Sequence, residues 1–154
     1  MASPRIISDS IVVDTSAEAI FAILADPSAH SEIDGSQSLQ GVTTSQTGRR
    51  LALGDRFGMN MKIGLPYKVK NTVVEYDESR LIAWQHFAKH TWRYELDELA
   101  PGRTRVTESW DWSGSPVARL MELVGFPDRN RKGIGASLVK LKALAEKRAA
   151  EASA

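Results

Sequence analysis

The chain has no cysteine. That excludes disulfides, thiol nucleophiles and thiolate metal sites, and it suits a reducing compartment. Charge of one sign is also lacking: 20 Lys and Arg stand against 19 Asp and Glu, for a formal net charge of +1. Such a balance creates no global pull towards nucleic acid. Long apolar runs are missing as well. Nothing approaches the length of a membrane span, and Met1-Ala2-Ser3-Pro4-Arg5 opens no apolar core of a signal peptide. A cytoplasmic protein, not embedded in a membrane, is expected. His30, His86 and His90 are too scattered for a metal site, and His30-Ser31-Glu32 is not a usual ligand spacing. Neither a nucleophile elbow nor a phosphate loop occurs. Gly133-Ile134-Gly135 imitates part of a dinucleotide fingerprint but follows no strand of a βαβ unit. No metal or other cofactor is therefore expected.

What is present suits one ordinary globular domain over residues 1–154, with 42% hydrophobic and 25% charged residues. The dominant element is a long amphipathic helix from Asp128 to about Ala150. Ile134, Leu138, Leu141, Leu144 and Ala145 recur at helical spacing, and Lys and Arg supply most of the polar remainder. Asp128 is the expected N-cap, after Pro127. Such a helix cannot bury its stripe alone, and most of the chain before it reads as strand.

In order, the first strand ends in Ile11-Val12-Val13. Thr15 and Glu18 stand at the spacing of a capping box, opening a helix with Ile20, Phe21, Ile23 and Leu24 on one face. Asp26-Pro27 starts a second short helix, anchored by Ile33. A short edge strand is expected around Leu39 to Thr44. From Leu51 on, strands follow at hairpin spacing. Phe57, Met59, Met61 and Ile63 alternate with polar neighbours. Tyr67 to Tyr76 and Leu81 to Phe87 follow. Then come a strand with Trp92, Tyr94 and Leu96 on one face, and another with Val106, Glu108, Trp110 and Trp112. A short helical piece after Ser115-Pro116 carries Val117, Leu120, Met121 and Val124 on one stripe, and Gly125-Phe126-Pro127 separates it from the long helix. Gly133 and Gly135 are read as letting that helix approach the sheet. The fold class is α+β: a curved antiparallel sheet of about seven strands wrapped around a long C-terminal helix, with two short helices after strand 1.

That order, with Asp14-Thr15-Ser16-Ala17-Glu18-Ala19-Ile20-Phe21 through Asp26-Pro27, resembles the START-like helix-grip superfamily. Leu81-Ile82-Ala83-Trp84, Trp92-Arg93-Tyr94-Glu95-Leu96 and Thr104-Arg105-Val106-Thr107-Glu108-Ser109-Trp110-Asp111-Trp112 are similar to its polyketide cyclase/dehydrase and lipid-transport group. The resemblance implies an apolar cavity between the sheet and the long helix. It carries no universal catalytic signature. Ile33 departs from the pattern, standing where relatives often have an aromatic residue.

Candidate ligand-binding residues are Phe57, Met59, Met61, Trp84, His86, Trp92, Tyr94, Glu108, Trp110, Trp112 and Phe126. Met is adaptable, and Trp and Tyr pair apolar area with one polar handle, a lining suited to a flat or elongated apolar ligand. The same residues could instead pack the core. Glu108 shares parity with Val106, Trp110 and Trp112, so it should point inward and needs a solvating partner. The alternative is a rim position. His86 follows Trp84 in parity, but both faces of that strand are apolar and its direction stays open; His90 and His30 are read as exposed. Phe126, between Gly125 and Pro127, is a candidate gate.

The expected function is binding or transport of a hydrophobic small molecule or lipid. A cyclase, dehydratase or aromatase using the same cavity is the alternative, and it would need two titratable groups converging in the pocket. A third reading is an interaction module with a collapsed cavity. The polar outer face of the strands, with Arg93, Glu95, Thr107 and Asp111, favours a monomer or weak homodimer, and no nucleic-acid partner is expected.

Overall fold

The apolar faces of the strands and the apolar stripe of the long helix have to share one core, and the sheet curls about the helix. The computed structural model describes residues 3–36, 39–42, 50–86 and 88–154. Strand β1 (Ile6–Val13) leads into α1 (Ala17–Leu24), a 3-10 turn (Pro27–Ala29) and α2 (His30–Ile33). A meander follows: β2 (Leu39–Val42), β3 (Arg56–Ile63), β4 (Leu65–Asp77), β5 (Leu81–His86), β6 (Thr91–Ala100) and β7 (Arg103–Asp111). Two helices end the chain, α3 (Ala118–Leu123) and α4 (Phe126–Ala152). The sheet order is β1-β7-β6-β5-β4-β3-β2, with every neighbouring pair antiparallel. The first strand thus closes beside the last, and α1 and α2 carry the chain to the opposite edge.

Helix α4 packs along β1 and β7 and against α1 and α2. Ile134, Leu138, Leu141 and Ala145 are buried on its inner stripe, and Leu144 packs at its margin. No helix among the described residues is long and apolar enough to cross a membrane. The α+β helix-grip architecture is as expected, and several local details differ. Ser16, not Thr15, caps α1, its hydroxyl accepting from the Ala19 N–H at 3.2 Å. Thr15 instead lies against β7, where the Thr104 hydroxyl donates to its carbonyl. Asp26 caps the 3-10 turn with Pro27 in its first positions, as the sequence indicates. Helix α4 begins two residues before Asp128: Gly125 takes the left-handed conformation at φ 83°, so the chain turns there and Pro127 falls inside the first turn, where its missing N–H costs nothing. Leu53 is exposed in a turn, and β3 starts only at Arg56. The expected positions 43, 44 and 87 lie outside the described residues.

Among the described glycines, the closest approach to a neighbouring backbone belongs to Gly35, just after α2. A Cβ there would meet the Gly133 carbonyl oxygen and the Ser137 nitrogen, both at 2.4 Å. The Gly35 N–H donates to the Ser137 hydroxyl at 2.8 Å. The corresponding Cβ positions at Gly133 and Gly135 are 3.7 Å or more from any neighbour, an ordinary contact. Those two glycines are therefore not what allows the close packing. This clamp ties α2 to α4 across one side of the cavity.

Candidate functional site

Cross-strand pairing stacks the inward side chains in rows. Trp84 on β5 pairs with Trp92 on β6, and Trp92 with Trp110 on β7. The next row runs from Ile82 through Tyr94 and Glu108 to Asp9 on β1. From these rows Trp84, Trp92, Trp110, Tyr94 and Glu108 form the concave wall of a cavity of about 680 Å³. Met59, Met61 and Ile63 on β3, Tyr67 and Val69 on β4, and His86 on β5 extend the wall. His30 and Ile33 on α2, Leu120 and Met121 on α3, and Phe126, Arg129 and Ser137 on α4 close the other side. The interior is therefore not collapsed. The structure brings nine of the eleven candidate residues to this cavity: Met59, Met61, Trp84, His86, Trp92, Tyr94, Glu108, Trp110 and Phe126.

Phe57 and Trp112 do not line it. Phe57 has the right parity but sits deeper, fully buried with its ring edge-on to His30 and Trp84, at 5.6 Å and 5.7 Å between centroids. It is core. Trp112 lies one residue past the end of β7, where the chain turns towards α3. It stacks behind Trp110 at 4.4 Å and donates its indole N–H to Glu122. Strand parity fixes which face a side chain takes, not how far along the wall it falls.

Glu108 points inward and is 2% exposed. No cation meets it. Its Oε1 accepts from the Tyr94 hydroxyl at 2.9 Å, and Oε2 has no partner among the described residues. Burial raises its carboxyl pKa to about 8, with Asp34 and Asp9 pushing the same way and the Tyr94 bond opposing them. The acid is thus mostly neutral near neutral pH, and its second oxygen is free to carry a proton towards a ligand. Tyr94 is itself held well above the ordinary phenol range, by burial and by Glu108 beside it.

All three histidines reach the same cavity, against the expectation that His30 and His90 are exposed. His30 is 3% exposed and stacks on Trp84 at 4.8 Å. Its Nε2 lies 2.8 Å from the Leu24 carbonyl oxygen. A carbonyl only accepts, so Nε2 carries the proton and Nδ1, unpartnered among the described residues, is a bare acceptor. Burial lowers the His30 pKa and keeps the ring neutral. His90 is turned inward by the tight hairpin between β5 and β6, where Lys89 takes φ 58°. Its Nδ1 accepts from the Trp110 indole N–H at 2.9 Å, which places the His90 proton on Nε2. His86 stacks on His90 at 4.4 Å, and its Nδ1 has no partner among the described residues. Burial, with His90 beside it, lowers the His86 pKa to about 3; burial lowers that of His90 to about 4.

The cavity thus has apolar aromatic walls and a few polar atoms with no partner among the described residues. Glu108 can donate, and His30 and His86 can accept. That is enough to orient an oxygen-bearing apolar molecule, and it supplies more than one titratable group to a reaction. Among the described residues, no group of three His, Asp or Glu side chains is placed to hold a metal. His30 was hidden because α2 is a single turn, too short to show a period. His90 was hidden because hairpin geometry, not alternation, directs it. The parity of Tyr67 with Val69 was legible.

A family model described as polyketide cyclase / dehydrase and lipid transport matches residues 4–146. The uncharacterized protein Rv0088 of Mycobacterium tuberculosis is 37% identical over 145 residues, covering 91% of this chain and 64% of that protein. The chain thus spans less than two thirds of that relative's length. In fold, it is similar to protein Ms6760 from Mycobacterium smegmatis, with a TM-score of 0.69 at 19% identity over 94% of this chain and 92% of that one. It is also similar to the Zhui aromatase/cyclase from Streptomyces sp. R1128, with a TM-score of 0.64 at 15% identity over 94% and 95% of the two chains. At these identities the two structures speak for the fold alone.

Proposed function

Because the chain belongs to the polyketide cyclase/dehydrase and lipid-transport family, we propose that it binds a hydrophobic small molecule or lipid in the cavity between sheet and α4. The observation that carries this reading is one open, aromatic-walled cavity of about 680 Å³ with Glu108 at its wall. Apolar burial, at roughly 25 cal/mol per Å² removed from water, would supply affinity, less the cost of immobilising the ligand. Protonated Glu108 would donate from Oε2 to a ligand oxygen, with Tyr94 holding the acid in place. Met59 and Met61 would adapt to the ligand's outline. Phe126, at the edge of the cavity beside Gly125, would gate it. The proposal places a monomer or weak homodimer in the cytoplasm.

The test is Trp fluorescence. Trp84, Trp92 and Trp110 line the cavity, so a bound fatty acyl, sterol or polycyclic probe should change the emission saturably, and native mass spectrometry should show a one-to-one adduct. Silence across that panel, with no small molecule carried through purification, would end the binding reading.

One observation favours a second reading. Glu108 is held as a neutral acid in the same cavity as the neutral bases His30 and His86. An acid and a base in one cavity are what a cyclase or dehydratase needs for moving protons on a folded substrate. Turnover of a bound polyketide-like compound, lost in Glu108→Gln with binding kept, would establish it. Binding without turnover by the unaltered protein leaves the first reading.

A further inference from the structure

The cavity opens between the turn joining β3 to β4 and the α3 helix, and both sides of that opening are apolar and exposed. On one side stand Ile63, Leu65 and Tyr67; on the other stand Leu120, Leu123 and Val124. Leu65 and Leu123 are 79% and 84% exposed, and Ile63, Tyr67, Leu120 and Val124 line the cavity while facing solvent. Of the stripe Val117, Leu120, Met121 and Val124, only Met121 is buried, so that face is mostly a lip. Exposed apolar rings of this kind mark contact sites.

The charge around the lip is lopsided. Residues 62–70 and 116–132 together carry seven Lys and Arg and only two Asp and Glu, while the whole chain is +1. The remainder of the molecule is accordingly net acidic. Both carboxylates in those segments are engaged. Glu122 accepts from Arg5 and Trp112, and Asp128 pairs with Arg131. Asp34 also lines the cavity, where it accepts from the Leu39 N–H, and the excess at the mouth is still cationic. It flanks the apolar side chains of this opening.

We infer that this mouth docks on the surface of an anionic lipid bilayer, with Leu65 and Leu123 inserting beneath the headgroups and the flanking Lys and Arg meeting lipid phosphates. Juxtaposed cations and exposed leucines are the two components that peripheral attachment to an anionic membrane needs, and neither suffices alone. A docked mouth would give an apolar ligand a path from bilayer to cavity without crossing water. The segment from α3 through Gly125 to Phe126 forms one side of that path and can yield without disturbing the sheet. This rests on the reading of the cavity as a site for an apolar ligand.

Flotation with vesicles tests it. The protein should float with vesicles of phosphatidylcholine mixed with phosphatidylglycerol, and much less with phosphatidylcholine alone. Raised salt should weaken the attachment, since the lipid surface potential acts only within a Debye length. Both leucines are exposed, so Leu65→Asp and Leu123→Asp should leave the circular dichroism unchanged; each should weaken attachment at least about tenfold. Lys68→Glu should weaken it roughly fivefold or more on anionic vesicles. Equal flotation on both vesicle types, attachment unaffected by the leucine changes, or no flotation at all overturns the inference. Capture of an acidic protein through this lip without flotation would also overturn it, assigning the surface to a protein partner. The two readings fail separately. Probes that change Trp fluorescence in solution without vesicle attachment leave only the cavity, and attachment without probe binding leaves only the lip.

Discussion

Replacing Glu108 with Gln should remove a pH dependence that the fold builds into its own stability. In the wild type the carboxyl binds its proton more tightly in the folded state, with a pKa raised to about 8 from the ordinary carboxylate value of 4.5. A raised folded pKa means that the folded state holds more protons than the unfolded chain between those values, so stability falls as pH rises through that window. The contribution is fully present below the ordinary carboxylate pKa and is lost by the time the pH has passed about 8. Between about pH 6 and about pH 9 the loss works out at about 2–3 kcal/mol. Gln keeps the shape and an oxygen that can accept from Tyr94, but it has nothing to titrate. Its absolute stability will differ from that of the wild type, because its amide N–H groups take the place of an unpaired oxygen, so the measurement reads only the difference between pH values. Urea unfolding followed by Trp fluorescence at the two pH values, with equal slopes m, gives that difference directly. The histidines are common to both proteins and cancel. Parallel pH curves for wild type and Glu108→Gln would refute the reasoning, since they would mean that Glu108 is solvated or paired in solution and is not a buried acid.

Tyr94→Phe should move the wild-type decline to still higher pH, because the Tyr94 hydroxyl bond is what holds the Glu108 pKa down; the same unfolding titration reads the displacement. Gly35→Ala should destabilise by about 1–3 kcal/mol, since its Cβ would meet backbone atoms of α4 at 2.4 Å and backbone cannot rotate away; a stability within about 0.5 kcal/mol of wild type would show that α2 and α4 part easily. Phe126→Ala should speed release of a bound probe with little change in fold stability, and equal release rates in stopped-flow displacement would remove Phe126 as a gate. On the acid side, His86 and His90 are held neutral by burial, with folded pKa values of about 3 and about 4. Lowered histidine values mean that the unfolded chain takes up protons first, so stability should fall as pH drops below the ordinary histidine range; replacing His90 with Gln should flatten that limb.

The periodicities proved sufficient for the parts of the molecule where a residue's neighbours are set by its own strand or helix. Ile134, Leu138, Leu141 and Ala145 are buried because a 3.6-residue repeat puts them on one side of α4. Tyr94, Glu108 and Trp110 face inward because a strand alternates. The run β2-β3-β4-β5-β6-β7 follows from hairpin spacing, whereas the pairing of β1 with β7 depends on where α1 and α2 carry the chain. The inward direction of Glu108 was legible for the same reason. Its partner was not, since the Tyr94–Glu108 pairing depends on the register between β6 and β7.

Other features depend on elements meeting in space, and no local pattern encodes them. His30 is buried in a one-turn helix because Trp84 and Phe57, far along the chain, roof it over. Glycine is needed at position 35 because the α4 backbone passes within the space of one methyl group. Phe57 and Trp112 had the parity of wall residues yet fell outside the cavity, one beneath His30 and Trp84 and the other behind Trp110. Val117, Leu120, Met121 and Val124 share one stripe along α3, but only Met121 is buried, and the exposed remainder is the lip of the cavity. Hydrophobic repeat states which residues share a face; whether that face is covered, and how deep a side chain lies beneath the cover, is set by the distances between elements that only folding establishes.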